Sequence, residues 1–332
     1  MSPKNILLYC LIFTGLFQSC GTVVQEKKPY NILFIAIDDL RPELGIYGNE
    51  IIKTPNLDAI GNSGTIFENH YVQVPTCGAS RCSILTGMLP SSRAHLKNSA
   101  IEKMMADVPE GERPESFVHH LKRNGYYTVG IGKISHSIEG LVYGYEESPE
   151  GAKAEMPYSW DEMLFDAGKW GNGWNAFFGY ADGTNRQGKK KQVKPYEAGD
   201  VSDEGYPDGL STQLAIKKLR ELADKEEPFF MGLGLFKPHL PFTSPKKYWD
   251  LYDRDEIPLS GAPDIPENID LSSLQRNGEF NQYALGEEKA SLEQPLSDEY
   301  ARKLRHAYYA AVSYSDALVG KVMQELDELG LS

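Results

Sequence analysis

The stretch Asn31-Ile32-Leu33-Phe34-Ile35-Ala36-Ile37-Asp38-Asp39 decides the fold of this chain. Its continuous apolar run, rich in β-branched residues, is typical of a strand buried on both faces of a parallel sheet. The run ends in two adjacent acids, and open α/β sheets bind their ligands where strands end. Because neighbouring carboxylates repel each other, Asp38 and Asp39 predict either a cation site or a solvated strand end.

A second informative stretch is Thr76-Cys77-Gly78-Ala79-Ser80-Arg81-Cys82-Ser83-Ile84-Leu85-Thr86-Gly87. It predicts a loop that turns into a helix ending at Gly87, with Cys77 at the helix N-terminus. Free N–H groups and the helix dipole favour an anion there, so Cys77 is a candidate nucleophile. Arg81 lies four residues on, on the same helical face, and can hold a guanidinium beside residue 77. The alternative is a small buried cysteine next to a surface arginine.

Two more predicted strands end in basic residues. Tyr126–Ile131 is followed by Gly132-Lys133-Ile134-Ser135-His136, and Pro228–Phe236 leads into Lys237-Pro238-His239. Taken singly, each histidine is typical of a loop residue with satisfied hydrogen bonds. Because parallel strands end at one sheet edge, these groups should gather near the paired acids. Together they indicate a site for a hard cation and an oxyanion.

Helical patterns alternate with the strands, as in α/β proteins. Helices are predicted over Pro55–Ile60, Glu115–Arg123 and Asp208–Ala223, and from Ser297 to near the last residue. Thr65–Val72 reads as a further strand. The stretch from Glu139 to about Tyr206 is rich in Gly, charge and aromatics without a sustained period, which predicts long loops over the site.

Composition bounds the class of protein. At 332 residues and 41% hydrophobic content, the chain can bury a large core. Its formal net charge of −13 disfavours nucleic acid, or any polyanion bound through the whole surface. An anionic substrate would therefore need a locally basic pocket. The short run Lys189-Lys190-Lys191 predicts a solvated loop.

The N-terminus has the features of a targeting segment. Lys4 precedes the apolar run Ile6–Phe17, which is too short to span a bilayer. We expect residues 1–19 to be a lipoprotein-type signal, Cys20 an acylated anchor and residues 21–29 a polar tether. Cleavage by an ordinary signal peptidase is the alternative. The protein would then be exported, as a periplasmic or outer-membrane lipoprotein of a bacterium that meets the membrane only through its lipid.

Other cysteine chemistries fit the sequence poorly. A cysteine phosphatase loop needs an arginine six residues after the cysteine, and that position is Ser83. No Cys or His pair has the spacing of zinc ligands. Cys77 and Cys82 lie five positions apart around a helix start, which is unsuited to an unstrained disulfide.

The motif Cys77-Gly78-Ala79-Ser80-Arg81 with downstream Leu85-Thr86-Gly87 resembles the type I sulfatase signature, Cys-x-Pro/Ala-x-Arg followed by Leu-Thr-Gly. The resemblance is closest to the iduronate-2-sulfatase branch. It extends through Asn31 to Tyr47, Thr54-Pro55-Asn56, Gly132-Lys133 with His136, Pro157-Tyr158-Ser159-Trp160, Lys237-Pro238-His239 with Pro241-Phe242, and Tyr308 to Gly320.

The resemblance implies an α/β three-layer sandwich with the alkaline-phosphatase-like sulfatase fold. Cys77 would be oxidised to formylglycine by a formylglycine-generating or sulfatase-maturating enzyme, and its hydrated aldehyde would attack sulfur. Asp38, Asp39 and the modified residue 77 would bind one Ca²⁺, which polarises the sulfate oxygens and lowers the pKa of the attacking hydroxyl.

The resemblance also implies roles for the basic residues. Arg81 and Lys133 would hold the formylglycine, and His136 would handle its proton. His239 would act as general acid toward the leaving oxygen. The role of Lys237 is left open.

Two features depart from the family pattern. Ala79 stands where many members have proline, which bears on which maturation enzyme accepts the site. The Asp-His-Gly motif, which carries two further calcium ligands, and a later catalytic lysine are absent. We therefore expect residues 30–332 to be the N-terminal part of a sulfatase catalytic domain, with the fold truncated at its C-terminus.

The expected function is calcium-dependent hydrolysis of sulfate esters on a sulfated glycan, such as one with a 2-O-sulfated uronic acid. One alternative is a phosphonate or phosphate monoester hydrolase on the same fold. Another is a surface glycan-binding lipoprotein with a catalytically dead site.

Overall fold

The structure, a computed structural model, describes residues 29–274 and 276–331. The expected signal 1–19, the anchor Cys20 and all but the end of the tether 21–29 lie outside these residues. The strands are β1 (Ile32–Ile37), β2 (Tyr127–Gly132), β3 (Leu141–Val142), β4 (Lys153–Ala154), β5 (Glu162–Leu164), β6 (Tyr196–Gly199), β7 (Phe229–Leu235) and β8 (Phe242–Pro245). The α-helices are α1 (Pro55–Ser63), α2 (Cys77–Thr86), α3 (Phe117–Arg123), α4 (Gly173–Phe177), α5 (Pro207–Ala223), α6 (Lys246–Trp249) and α7 (Asp298–Glu328).

A parallel sheet in the order β1-β7-β2-β5 forms the centre of the fold. Ile32 of β1 pairs with Phe230 of β7, and Tyr127 of β2 pairs with Phe229. The β1, β2 and β7 strands therefore run side by side and end at the same edge. The apolar runs predicted these three strands to within a residue or two.

Alternation along the strands supplies a core on each face of the sheet. Met231 and Leu233 lie in one core with the inner faces of α5 and α7. Phe230 lies in the other core, which includes α2 and α3, and Phe34 packs against it. Helices thus cover both faces, and the predicted three-layer α/β sandwich is confirmed.

The predicted ends of the helices follow local chemistry. Ser297 caps α7, its side-chain oxygen accepting a hydrogen bond from the backbone N–H of Tyr300. The α2 helix ends at Thr86 and is capped by Gly87, whose φ of 68° favours glycine. Among the residues described, no helix is both long enough and apolar enough to cross a membrane.

The long helix α7 holds two strand ends in place from behind the sheet. The Tyr308 hydroxyl donates to the backbone carbonyl of Asp39 at 2.9 Å. About two turns further along, the Ser315 hydroxyl donates to the carbonyl of Lys237 at 2.7 Å. One rigid element therefore sets the relative position of the residues that follow β1 and β7.

Two sequence predictions are wrong. Thr65–Val72 is not a strand, and its Phe67 and Tyr71 side chains are exposed. No described strand pairs with it, and an unpaired strand leaves its backbone donors and acceptors unsatisfied. The stretch 139–206 is not only loops, because β5 adds to the main sheet beside β2 and β6 pairs with β8.

Candidate active site

The candidate site lies where β1, β2 and β7 end, opposite the first turn of α2. The Asp38 carboxylate, the Cys77 thiol and the His239 imidazole each place a ligand-type atom within 4.8 Å of the others. Three separate segments of the sequence therefore converge on one point, as the strand-end argument predicts.

Asp38 is the buried negative charge of the site. One carboxylate oxygen accepts a hydrogen bond from Arg81 Nη2 at 3.1 Å, and the other accepts from Lys133 Nζ at 2.5 Å. Burial alone would raise the pKa of Asp38, but the charges of Lys133 and Arg81 outweigh it and hold that pKa well below its usual range. Asp38 is therefore ionised, with two cations fixed beside it.

Arg81 joins the helix to the loop after β2. Its Nη1 atom donates to the carbonyls of Lys133 and Ile134, at 2.5 and 2.9 Å. The guanidinium thus holds the backbone of that loop while it pairs with Asp38. Lys133 is 1% exposed, and its ammonium lies 4.0 Å from the ring centre of Phe177, a cation–π contact. Phe177 is a site residue that the sequence did not reveal.

Cys77 is half-buried at the first position of α2. Its neighbour Gly78 donates its backbone N–H to Asn98 Oδ1 at 3.0 Å, which fixes the first turn. Burial and the Asp38 charge raise the pKa of the Cys77 thiol to about 11. Only about one thiol in 10⁴ would be ionised near pH 7. Since the thiolate is the reactive form of cysteine, the unmodified side chain is a poor nucleophile.

Cys82 lies on the other side of the same helix. It is buried, and its Sγ atom is 3.4 Å from Met104 Sδ. Both Cys77 and Cys82 are free thiols.

Lys237 is a structural residue. It is 2% exposed, and its ammonium donates to the carbonyls of His239 and Pro241, at 3.1 and 2.8 Å. Burial lowers the pKa of Lys237 to about 8. The ammonium therefore supports the shape of the loop that carries His239.

Asp208 supports the same loop from below, and the sequence did not single it out. Its carboxylate accepts hydrogen bonds from the backbone N–H groups of Phe236 and Lys237, both at 2.8 Å. Burial raises the pKa of Asp208 to about 6. An acid at a helix start usually interacts with the helix itself, which is why the pattern gave no signal of this contact.

His239 presents one ring nitrogen to the site. Its Nδ1–H donates to the carbonyl of Leu240 at 2.7 Å, so Nε2 is the atom left for chemistry. That Nε2 lies 3.7 Å from a carboxylate oxygen of Glu279. Glu279 is another residue that the sequence did not identify, because it lies in an irregular segment without a motif.

His136 has a different environment. Its ring lies 5.4 Å from that of Trp174, and its buried Nδ1 has no hydrogen-bond partner among the described residues. Burial and the Lys133 charge lower the pKa of His136 to about 3. The imidazole is therefore neutral at physiological pH and can accept a proton.

The predicted calcium ligands are gathered only in part. Asp38 and Cys77 lie together, but the third member of the group is His239, and Asp39 is outside it. Asp39 is exposed, with a backbone φ of 62°. Ca²⁺ takes six to eight oxygen ligands. The described group supplies one carboxylate, one sulfur and one nitrogen, so the calcium site stays a prediction.

Comparison with known proteins agrees with this geometry. A family model described as Sulfatase matches residues 30–332, and the chain therefore belongs to the sulfatase family. Iduronate 2-sulfatase of Homo sapiens is 29% identical over 349 residues, an alignment that covers 99% of this chain. A sulfatase of Formosa agariphila is 28% identical over 330 residues and covers 96%.

Solved structures show the same fold. The phosphonate monoester hydrolase of Agrobacterium radiobacter superposes with a TM-score of 0.63 at 18% identity, covering 91% of this chain and 60% of the other. The chain thus has the alkaline-phosphatase-like α/β fold. It spans 58% of the human relative and 60% of the Formosa one.

Proposed function

We propose that the protein hydrolyses sulfate esters after Cys77 has been converted to formylglycine. The observation that carries the proposal is the placement of residue 77, which opens α2 within 4.8 Å of Asp38 and His239. The thiol itself is an unsuitable nucleophile there, because its pKa is raised to about 11 by burial and by Asp38. When present, formylglycine would supply a hydrated aldehyde whose hydroxyl attacks sulfur.

The chain's own residues would then have distinct tasks. Lys133 and Arg81 place two fixed cations beside Asp38, close enough for their charges to act on residue 77, where negative charge on the sulfate and the nucleophile must be balanced. His136 is neutral, and its buried Nδ1, which has no hydrogen-bond partner among the described residues, would be the acceptor for the proton of the nucleophile. His239, whose Nε2 faces the site, is suited to protonate the oxygen of the departing sugar.

A calcium ion would be held by the carboxylates of Asp38 and Asp39 together with residue 77. It would polarise the sulfate oxygens. Both oxygens of Asp38 are already shared with Lys133 and Arg81, so the two side chains would also hold this ligand in a fixed orientation.

The proposed substrate is a sulfated glycan. Support comes from the relative named iduronate 2-sulfatase, which aligns with almost all of this chain. The proposed partner in maturation is a formylglycine-generating or sulfatase-maturating enzyme. We also propose that the protein is exported and anchored through acylated Cys20.

Mass spectrometry and turnover together test the proposal. In the full chain purified from its native host, the tryptic peptide from residue 54 to Arg81 should carry formylglycine at position 77. Cys77→Ala should abolish sulfate release from a sulfated disaccharide. Cys82→Ala, which removes the other thiol of α2 away from the site, should retain it. An unmodified Cys77 in active protein would overturn the mechanism.

Three further measurements test the alternatives and the proposed calcium. Faster turnover of phosphate or phosphonate monoesters than of sulfate esters would favour the other hydrolase on this fold. Binding of sulfated glycan without any turnover by formylglycine-bearing protein would favour a catalytically dead binding protein. Full activity after exhaustive chelation would exclude the proposed calcium.

A further inference from the structure

Two cavities lie side by side next to the candidate active site. The smaller, of about 240 Å³, is lined by His136 and Trp174 among others. The larger, of about 540 Å³, is lined by Arg186, Lys190 and Lys191 among others, a volume suited to a sugar unit. Gly144 and Tyr145 line both cavities, so one short segment separates them.

Contacts connect both cavities to the reactive groups. The Tyr145 ring packs edge-on against Trp174 at 4.5 Å, and Trp174 packs against His136. On the side of the larger cavity, Arg186 Nη1 pairs with Glu279 at 3.0 Å, and the second carboxylate oxygen of Glu279 faces His239. A ligand in the larger cavity would therefore be a near neighbour of a group bound at residue 77.

The wall formed by Lys190 and Lys191 has an unusual backbone. Both residues have positive φ angles, 50° and 65°, a conformation that side-chain-bearing residues rarely adopt. Such strain persists only where the surrounding structure imposes it, and it is concentrated at functional sites. Both lysines line the cavity and are exposed to solvent, in a chain whose net charge is −13.

The other residues that line the larger cavity are mostly polar, as in carbohydrate-binding sites. Glu147 accepts the backbone N–H of Gly144 at 2.7 Å, so its charge stabilises the loop. Arg186 stacks on Phe178 at 3.6 Å, and its buried Nε has no hydrogen-bond partner among the described residues. An amide, Gln187, lies beside it with an unpartnered oxygen. Tyr145 offers an aromatic surface for a sugar ring, and the exposed Lys190 and Lys191 offer donors for its polar groups.

We propose that the larger cavity binds the sugar unit adjacent to the one whose sulfate is removed, and that Lys190 and Lys191 bind an anionic group on that unit. This inference rests on the proposed function and adds a substrate class to it. The preferred substrate is an oligosaccharide with a second negative charge, either a sulfate or a carboxylate, next to the sulfate ester. The cavity lining has three cations, Arg186, Lys190 and Lys191, and two acids, Glu146 and Glu147, so its excess positive charge depends on the lysine pair.

Binding measurements test the subsite without requiring turnover. The probes are a heparin-derived tetrasaccharide, its desulfated counterpart and its carboxyl-reduced counterpart, titrated into the full chain by calorimetry. The double variant Lys190→Asn/Lys191→Asn removes both charges and keeps a residue type that tolerates positive φ. Its affinity for the tetrasaccharide should fall by on the order of tenfold. Lys189→Asn, the neighbouring exposed lysine outside the cavity lining, is the matched control and should bind as the wild type does.

Each outcome has a distinct meaning. A preference lost on desulfation assigns the anion to sulfate, and one lost on carboxyl reduction assigns it to carboxylate. Equal affinity of wild type and double variant for all three probes would overturn the subsite, as would an equal loss in Lys189→Asn. If the wild type binds through the lysine pair but releases no sulfate from any ester, the proposed function fails and the subsite stands.

Discussion

The loop after β2 and the loop after β7 contain the same residue types, a lysine followed by a histidine, yet the two lysines have different roles. In the first, Lys133 points its ammonium at Asp38, and His136 keeps a buried nitrogen without a partner among the described residues. In the second, the Lys237 ammonium donates hydrogen bonds to two backbone carbonyls, and His239 presents Nε2 to the site.

The comparison shows that position in a motif does not determine the role of a charge. What differs is the partner that the fold supplies. Asp38 lies beside Lys133, while the carbonyls of His239 and Pro241 surround Lys237. One lysine therefore contributes an electrostatic field to the reaction, and the other contributes loop shape.

Among substitutions in these two loops, we expect His239→Ala to cause the largest loss of activity. A sugar hydroxyl is a poor leaving group and needs a proton, so hydrolysis of a sulfated sugar should slow by on the order of 10²–10⁴. p-Nitrophenyl sulfate, whose leaving group departs readily as an anion, should be affected much less. His120→Ala, an exposed histidine on α3, is the control. Equal losses on both substrates would assign His239 to positioning instead.

Lys133→Met should have the next largest effect, lowering kcat/KM by about 10²–10³-fold on both substrates. The reason is that a fixed charge in a buried site acts on the transition state itself. Removing one partner of a buried ion pair should also lower the free energy of unfolding by about 3–5 kcal/mol in urea titrations. Lys237→Met, the equivalent change in the other loop, should lose stability but stay within about tenfold in activity. Similar activity losses in the two variants would remove the distinction between the loops.

His136→Ala should give a smaller loss, on the order of 10² and equal for sugar sulfate and p-nitrophenyl sulfate, because proton transfer from the nucleophile precedes departure of either leaving group. The activity of the wild type should show no acid limb from His136 above about pH 4, since its pKa is lowered to about 3 by burial and Lys133. Single-turnover kinetics with both substrates provide the measurement. A selective loss on the sugar substrate would contradict this role.

The extent to which the fold and the candidate site could be predicted from the sequence differs between segments. The β1, β2 and β7 strands, α2 and the convergence of Asp38, Cys77 and His239 follow from apolar runs and from the rule that parallel strands end together. Local patterns carry that information. The position of the site was therefore accessible from the sequence.

The partners of individual groups were not accessible. Asp208, which contacts the loop after β7, lies 28 residues before Phe236 in the sequence. Glu279, which contacts the same loop, lies in an irregular segment after it. Neither contact leaves a periodic signal in the sequence. Whether Thr65–Val72 forms a strand depends on a neighbouring edge, which its own apolar content cannot supply. These are long-range outcomes of packing.

The smallest expected effect is a change in the pH dependence of stability, caused by substitution of the buried acid Asp208. The pKa of Asp208 is raised by burial from its ordinary 3.8 to about 6, so between these values the folded state holds the extra proton. The contribution of Asp208 to stability therefore falls as pH rises from about 4 to 6 and stays low above 6. Asp208→Asn should lack this fall. Relative to wild type, its free energy of unfolding should gain about 2 kcal/mol between pH 4 and pH 7. Parallel urea titrations at the two pH values check this, and an unchanged difference would contradict it.

The order of strands in the sheet determines when the sheet can form during synthesis of the chain. Because β7 lies between β1 and β2, the two earlier strands cannot be joined until residues 229–235 have left the ribosome. Those residues follow Cys77 by about 150 positions, which take roughly 8–30 s to synthesise at 5–20 residues per second. Throughout that interval residue 77 is not yet placed beside Asp38 and His239, and we expect its thiol to be open to a modifying enzyme. Ribosome-bound chains stalled before β7 should react quickly at Cys77 with a thiol reagent, and chains that extend past α7 should react slowly. Equal reactivity at both lengths would show that the sheet does not set the time available for modification.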